Sequence, residues 1–276
     1  MTLGPVAKWL LRAGTALTLV FVYTPIVVIA LYAFNESRIQ AWPIDGLTLE
    51  WFDRALHNPG ARDALVLSLK AALGATILAL VLGTLASLAV ARYRFFGRET
   101  ISFLVILPIA LPGIVTGMAL NATFNTTEIP LGLLTIVVGH ATFCIVVVYN
   151  NAVARLRRTS QHLEEASADL GADTWQTFRY VTFPQLRSAL LAGALLAFAL
   201  SFDEVIVTTF TAGPDQTLPI WILSNLSRPN QLPVVNVVAV FLILLSTIPV
   251  YLATRLTRDT GAVTPTAGGA QAAGAR

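Results

Sequence analysis

Residues 164–184 read EEASADLGADTWQTFRYVTFP. They lie inside the longest hydrophilic interval between apolar runs, 154–187, together with Arg155, Arg157, Arg158, Arg179 and Arg187. Ser160 suits an N-cap for a short helix running to Leu170. Glu164 and Glu165 then fall in its early turns, where the helix dipole favours acids. Gly171 occupies the position at which such a helix needs a left-handed residue. Asp173 and Gln176 have the spacing of a capping box, which predicts a second short helix ending before Pro184. On the first helix Leu163, Ala166, Ser167 and Leu170 share one face, while Glu165 and Asp169 point elsewhere. The pattern is a helix–turn–helix outside the apolar spans, with small residues where another surface can approach closely. A surface loop packed on its own bundle is the plainer alternative.

What flanks this loop sets its surroundings. Of 276 residues, 55% are hydrophobic and 12% are charged, whereas soluble domains average about 25% charged. So few charges do not cover the surface of a water-soluble fold of this size, and lipid is the solvent that tolerates the shortage. Six apolar stretches, 14–34, 64–91, 101–122, 132–153, 188–211 and 235–256, are long enough to cross a hydrocarbon core, which takes about 20 helical residues. The first follows Lys8 and Arg12 but is too long for a signal-peptide core and closes on no small-x-small site, so it reads as a retained helix. The expectation is an all-α membrane protein: a segment 1–13, a six-helix domain 14–256, and a tail 257–276. The tail is rich in Gly, Ala and Thr and is expected to be disordered.

Basic residues set the orientation. Lys8, Arg12, Arg92, Arg94, Arg98, Arg155, Arg157, Arg158, Arg179, Arg187, Arg255, Arg258 and Arg276 fall in one set of segments; Arg38, Arg54, Arg62 and Arg228 fall in the other. Thirteen against four places both termini and the 154–187 loop in the cytoplasm. Pro108 and Pro112, followed by Gly113 and Gly117, are expected to kink or unwind the third span. Irregular backbone at that depth belongs where it is buried or lines a cavity. The external segment 35–63 carries Trp42 and Trp51, which suit an interfacial belt, and the acids Glu36, Asp45, Glu50, Asp53 and Asp63.

Several kinds of chemistry are absent. The chain has no Gly-Lys pair and so no P-loop. His57, His140 and His162 form no metal pair, and His140 reads as a hydrogen-bonded packing residue. Cys144, the single cysteine, reads as a small buried side chain. No catalytic triad or nucleophile elbow is present, so energy for any work must come from a partner or an ion gradient.

The 164–184 run resembles the EAA loop of binding-protein-dependent ABC importer permeases. That pattern is Glu-Ala-Ala, three residues, Gly, nine residues, Ile, one residue, Leu-Pro. Glu165, Ala166, Ser167, Gly171, Val181, Phe183 and Pro184 match its spacing, with Ser167, Val181 and Phe183 as departures in residue type. A second run, SFDEVIVTTFTAGPDQTLPIWILS at 201–224, resembles the fifth-helix region of spermidine/putrescine-type permeases, and GLTLEWFDRAL at 46–56 resembles their first external loop. The resemblance covers about residues 15 to 256. It implies a type I importer permease fold that forms one pathway with a second permease subunit. Two copies of a cytoplasmic ATPase would bind the ATP and receive the EAA helix, with Glu165 pairing to a basic residue there. A periplasmic or lipid-anchored solute-binding protein would deliver a small cationic solute, a polyamine, to the outer face. No cofactor or metal is implied for this chain, and no nucleic acid.

Three charges in the spans are candidates for the pathway. Asp203 and Glu204 lie in the fifth stretch and Lys70 in the second, at comparable depths of roughly 9–15 Å. A charge at mid-span costs roughly 2.5–3.5 kcal/mol. Lys70 neutralising one acid, with the other left to attract an ammonium group, accounts for all three; snorkelling is the alternative for Lys70. Helical spacing puts Glu204 on a face with Ser201 and Thr208, and Asp203 with Leu200 and Val207, which favours Glu204 as the cargo contact. A structural cluster with Ser201, Thr208 or helix ends is the alternative for the acids. At the level of function the competing readings are an ion-coupled carrier using Asp203 or Glu204, and an ABC permease for another small solute. No inverted repeat supports the carrier. A membrane scaffold or enzyme comes last, because no site supports it.

Overall fold

Pro5 opens the first helix, at a position where its missing N–H is not needed, and the apolar run behind it extends α1 (Pro5–Ala33). This computed structural model describes residues 4–259, where the regular elements are all helices. Lys8 and Arg12 therefore sit on the first turns of α1, so most of the expected N-terminal segment is helical. Trp9, Leu17, Val20 and Phe21 on α1 are exposed, as a surface turned to hydrocarbon would be.

The remaining helices are α2 (Glu50–Leu56), α3 (Pro59–Arg92), α4 (Arg98–Ala110), α5 (Gly113–Thr126), α6 (Leu133–Arg158), α7 (His162–Asp169) and α8 (Thr174–Thr177). A π turn (Phe178–Thr182) leads into α9 (Phe183–Phe202), followed by α10 (Ile206–Thr211), α11 (Leu218–Asn225) and α12 (Leu232–Asp259). Among the described residues, five stretches are long and apolar enough to cross a membrane, and six if α4 and α5 count as one interrupted span. That interruption falls at Leu111 and Pro112, both extended, where the sequence places its kink.

Three expected boundaries move. The fifth span does not run 188–211: helix is continuous from Thr174 to Phe202 and stops there. The second loop helix does not end before Pro184, because the π turn carries it on and Pro184 becomes the second residue of α9. In the π turn the Phe183 N–H reaches the Phe178 carbonyl, a wider spacing that tends to mark functional sites. Finally, α12 continues to Asp259, so 257–259 are helical; the rest of the expected disordered tail lies outside the described residues.

The chain forms two compact units. One comprises, among the described residues, 4–74, Pro112–His140 and Ser201–Thr247. In it Trp51 is buried and binds the segment 35–63 together: its Nε1 donates to the Asn35 carbonyl at 2.7 Å, and Arg54 lies 4.8 Å from its ring centre. Trp42 alone of that pair remains exposed. Helix α10 packs on α5, with Asn121 Nδ2 donating to the Phe210 carbonyl at 2.6 Å. Gly117 permits the approach, since a Cβ there would lie 2.6 Å from the Phe210 ring. The other unit comprises, among the described residues, Ala75–Leu111, Ala141–Leu200 and 248–259. Val90, Tyr149 and Val153 form part of its core, and Tyr149 Oη hydrogen-bonds Ser102 Oγ at 2.7 Å. Cys144 is buried there, its thiol directed to the Ala197 carbonyl at 3.3 Å.

Candidate functional site

The hydrophilic loop folds as its local signals dictate, with one shift at its start. Gln161, not Ser160, is the N-cap of α7 and gives no side-chain cap; the Ser160 hydroxyl instead accepts the His162 N–H at 3.3 Å. Gly171 takes φ +85°, the left-handed turn expected of it. Asp173 and Gln176 form the capping box, with bonds of 2.8 and 2.9 Å. Ser167 Oγ lies 3.1 Å from Thr177 Oγ1, so the serine that departs from the EAA pattern ties α7 to α8. At the base of the loop, Arg155 Nε donates to the Gln185 carbonyl at 2.9 Å, joining α6 to α9.

The outward surface of this loop is apolar. Leu163 is 51% exposed, Leu170 90% and Trp175 63%, and Ala166 lies exposed between the two leucines on α7. These side chains sit on a hydrophilic loop, where apolar exposure on this scale marks an interaction surface. Glu165 is also exposed and hydrogen-bonds only along its own helix, to His162 Nδ1 at 2.9 Å. Pro184 lies exposed at the start of α9.

Glu164 behaves differently from its neighbour, which the sequence did not reveal. Its side chain is 21% exposed and meets Arg92 Nε at 3.0–3.1 Å, while Thr182 Oγ1 donates to it at 2.9 Å. Arg92 read only as one of the cytoplasmic arginines, because its partner lies 72 residues away.

In the other unit the chain between α9 and α10 leaves the helical path at Asp203–Val205. Glu204 Oε1 accepts the Val207 N–H at 2.9 Å, a group that in an unbroken helix would bond four residues back. The Thr208 hydroxyl donates to the Glu204 carbonyl at 2.8 Å. Beside the break His140 is buried, with Nδ1 2.7 Å from Ser201 Oγ and Nε2 2.8 Å from Thr208 Oγ1. Ser201, Glu204 and Thr208 thus come together around the break, as a bonded cluster instead of one open helical face. Asp203 is exposed at the break. Lys70 joins neither acid; the ion pairs among the described residues leave it out. It lines a cavity of about 660 Å³ in the same unit, with Asp63, Asp215 and Arg228.

Among the described residues, five apolar spans, or six with the interrupted one, and a hydrophilic helix–turn–helix with an exposed small-residue face define a multi-pass helical membrane protein. Residues 79–261 match the family described as binding-protein-dependent transport system inner membrane component, and the chain belongs to that family. It is a membrane-spanning permease subunit of an ABC importer, located in the inner membrane. It is 32% identical over 232 residues to the putrescine transport system permease protein PotI of Escherichia coli (strain K12), covering 81% of this chain and 82% of that one. It is also 32% identical over 253 residues to the spermidine/putrescine transport system permease protein PotC of the same organism, covering 91% and 95%. Its fold is similar to a chain of a bacterial ABC transporter involved in the import of the acidic polysaccharide alginate. That similarity has a TM-score of 0.68 at 16% identity and covers 94% of this chain and 99% of the other. An ion-coupled carrier is not the class these matches define.

Proposed function

We propose that this permease forms half of the translocation pathway of an ATP-driven importer for polyamines, and that α7 is the element that docks in the ATPase. The carrying observation is the exposed face of Leu163, Ala166 and Leu170, held in position by the left-handed turn at Gly171 and the Ser167–Thr177 contact. A short helix does not stand alone in water, and this one presents leucines outward. Glu165 is available to exchange His162 for a basic residue of the ATPase. Two ATPase copies hold the ATP, a second permease subunit completes the pathway, and a periplasmic or lipid-anchored binding protein delivers solute. Both termini are cytoplasmic.

The relatives named for putrescine and spermidine transport support the cargo, as does an exposed carboxylate at the break between α9 and α10. Unwound backbone at such a break suits a solute site. Because Glu204 is occupied by the Val207 N–H, Asp203 is the acid that meets an ammonium group. The test is uptake by the purified complex in proteoliposomes, with binding protein and ATP, offered labelled putrescine, spermidine, a neutral sugar and an amino acid. ATP-dependent accumulation of the diamine and triamine is expected; uptake of only the neutral solutes contradicts the cargo assignment.

A further inference from the structure

Two adjacent glutamates in α7 have opposite surroundings. Glu165 faces water with His162. Glu164 is drawn in, and its single carboxylate joins three elements: Arg92, the last residue of α3; α7 itself; and Thr182, the last residue of the π turn that feeds α9. The Arg92 side chain is 11% exposed and Thr182 is buried. Screening by solvent is weak in such a place, and a charged hydrogen bond to a carboxylate is among the stronger polar contacts. The π turn contributes as well, because its wider winding rotates Thr182 relative to a regular helix.

The mechanical consequence follows from lengths. Helix α7 has 8 residues and no side-chain N-cap, so its position comes from what grips it. Helix α3 has 34 residues without interruption, and a continuous helix transmits an end displacement along its axis. We propose that Arg92 and Thr182, gripping Glu164, form the link through which movement of α7 reaches the second and fifth spans, leaving Glu165 for the ATPase. Arg92 and Glu164 are in this account positioning residues. The proposal rests on the reading that α7 docks in the ATPase, and assigns the transmission step to residues outside the docking face.

The experiment uses the full importer in proteoliposomes and measures three quantities: ATPase co-purification, ATP hydrolysis with and without loaded binding protein, and solute moved per ATP. Arg92→Ala and Glu164→Ala should retain the ATPase, lose most of the stimulation by loaded binding protein, and lower solute moved per ATP at least tenfold. The double exchange R92E/E164R should recover a substantial part of the ratio, which general damage to the fold would not. Arg92→Lys, which keeps the charge but not the Nε geometry, should fall between. A wild-type ratio in both alanine variants overturns the link, as does loss of the ATPase from both, since the pair would then serve docking. Failure of the docking reading is distinct: it shows as normal co-purification together with normal stimulated hydrolysis in Ala166→Trp, whatever Arg92→Ala does.

Discussion

His140 and Thr208 are hydrogen-bonded at 2.8 Å beside the break between α9 and α10, and the same imidazole reaches Ser201 at 2.7 Å on the other side of that break. Ser201 lies in the last turn of one helix and Thr208 belongs to the next, so one buried side chain braces an interruption that the backbone alone cannot. Removing it should be costly. A buried polar group left unpaired costs about 1–3 kcal/mol, and each kcal/mol lowers Tm by roughly 2–4 °C at this chain size. His140→Leu should therefore lower the melting temperature of the purified permease complex by several degrees, with His140→Gln losing less. Thermal unfolding in detergent decides it, and an unchanged Tm for His140→Leu contradicts the brace.

The two acids at the break should separate in function. In Glu204→Gln the amide oxygen can still accept the Val207 N–H, so assembly and most uptake should survive. Glu204→Ala loses that hydrogen bond, worth about 0.5–1.5 kcal/mol, and should destabilise the complex. Asp203→Asn should lower polyamine uptake several-fold with little change in Tm or basal ATP hydrolysis. Uptake kinetics beside melting curves check this. Wild-type uptake in Asp203→Asn removes Asp203 from the cargo path.

How much of this was legible depended on the range of the interactions. The turn at Gly171 and the capping box of Asp173 and Gln176 use partners within three residues, so spacing alone located them. The break after Phe202 was hidden because Ile206, Val207 and Phe210 continue an apolar pattern that a helix would also show. Beyond the break the Glu204 carboxylate takes the Val207 N–H at the start of the next helix, a contact that composition does not record. Glu164 and Glu165 were indistinguishable for the same reason: Arg92 and Thr182 become neighbours of one and not the other only in the folded chain. Helical periodicity also presumed an unbroken helix through Ser201, Glu204 and Thr208, where the chain instead leaves the helical path at Asp203–Val205.

Orientation is open to a direct check. Gln161 and His57 are exposed and lie in segments assigned to opposite sides of the membrane, and Cys144 is buried. In a Cys144→Ala background, His57→Cys should react with an impermeant thiol reagent in intact spheroplasts. Gln161→Cys should react only after lysis. Equal labelling of both in intact cells contradicts cytoplasmic termini.

The turn at Gly171 gives a graded prediction. A β-branched residue at φ +85° is strained by roughly 1–2 kcal/mol, whereas asparagine tolerates the left-handed region. Gly171→Val should weaken co-purification of the ATPase, and Gly171→Asn should largely keep it. Equal retention in both variants means the turn does not set the docking geometry.

The central claim, that α7 is where this permease meets its motor, is tested most directly at Ala166. This residue is exposed between Leu163 and Leu170, and no bond within the loop depends on its methyl group. A tryptophan there leaves the fold intact but fills the space a partner must enter. The measurement is ATPase retention on the affinity-purified, membrane-inserted Ala166→Trp permease, with ATP hydrolysis stimulated by loaded binding protein read on the same sample. The account predicts normal insertion with the ATPase lost or its stimulated hydrolysis abolished. Wild-type retention together with wild-type stimulation would contradict it.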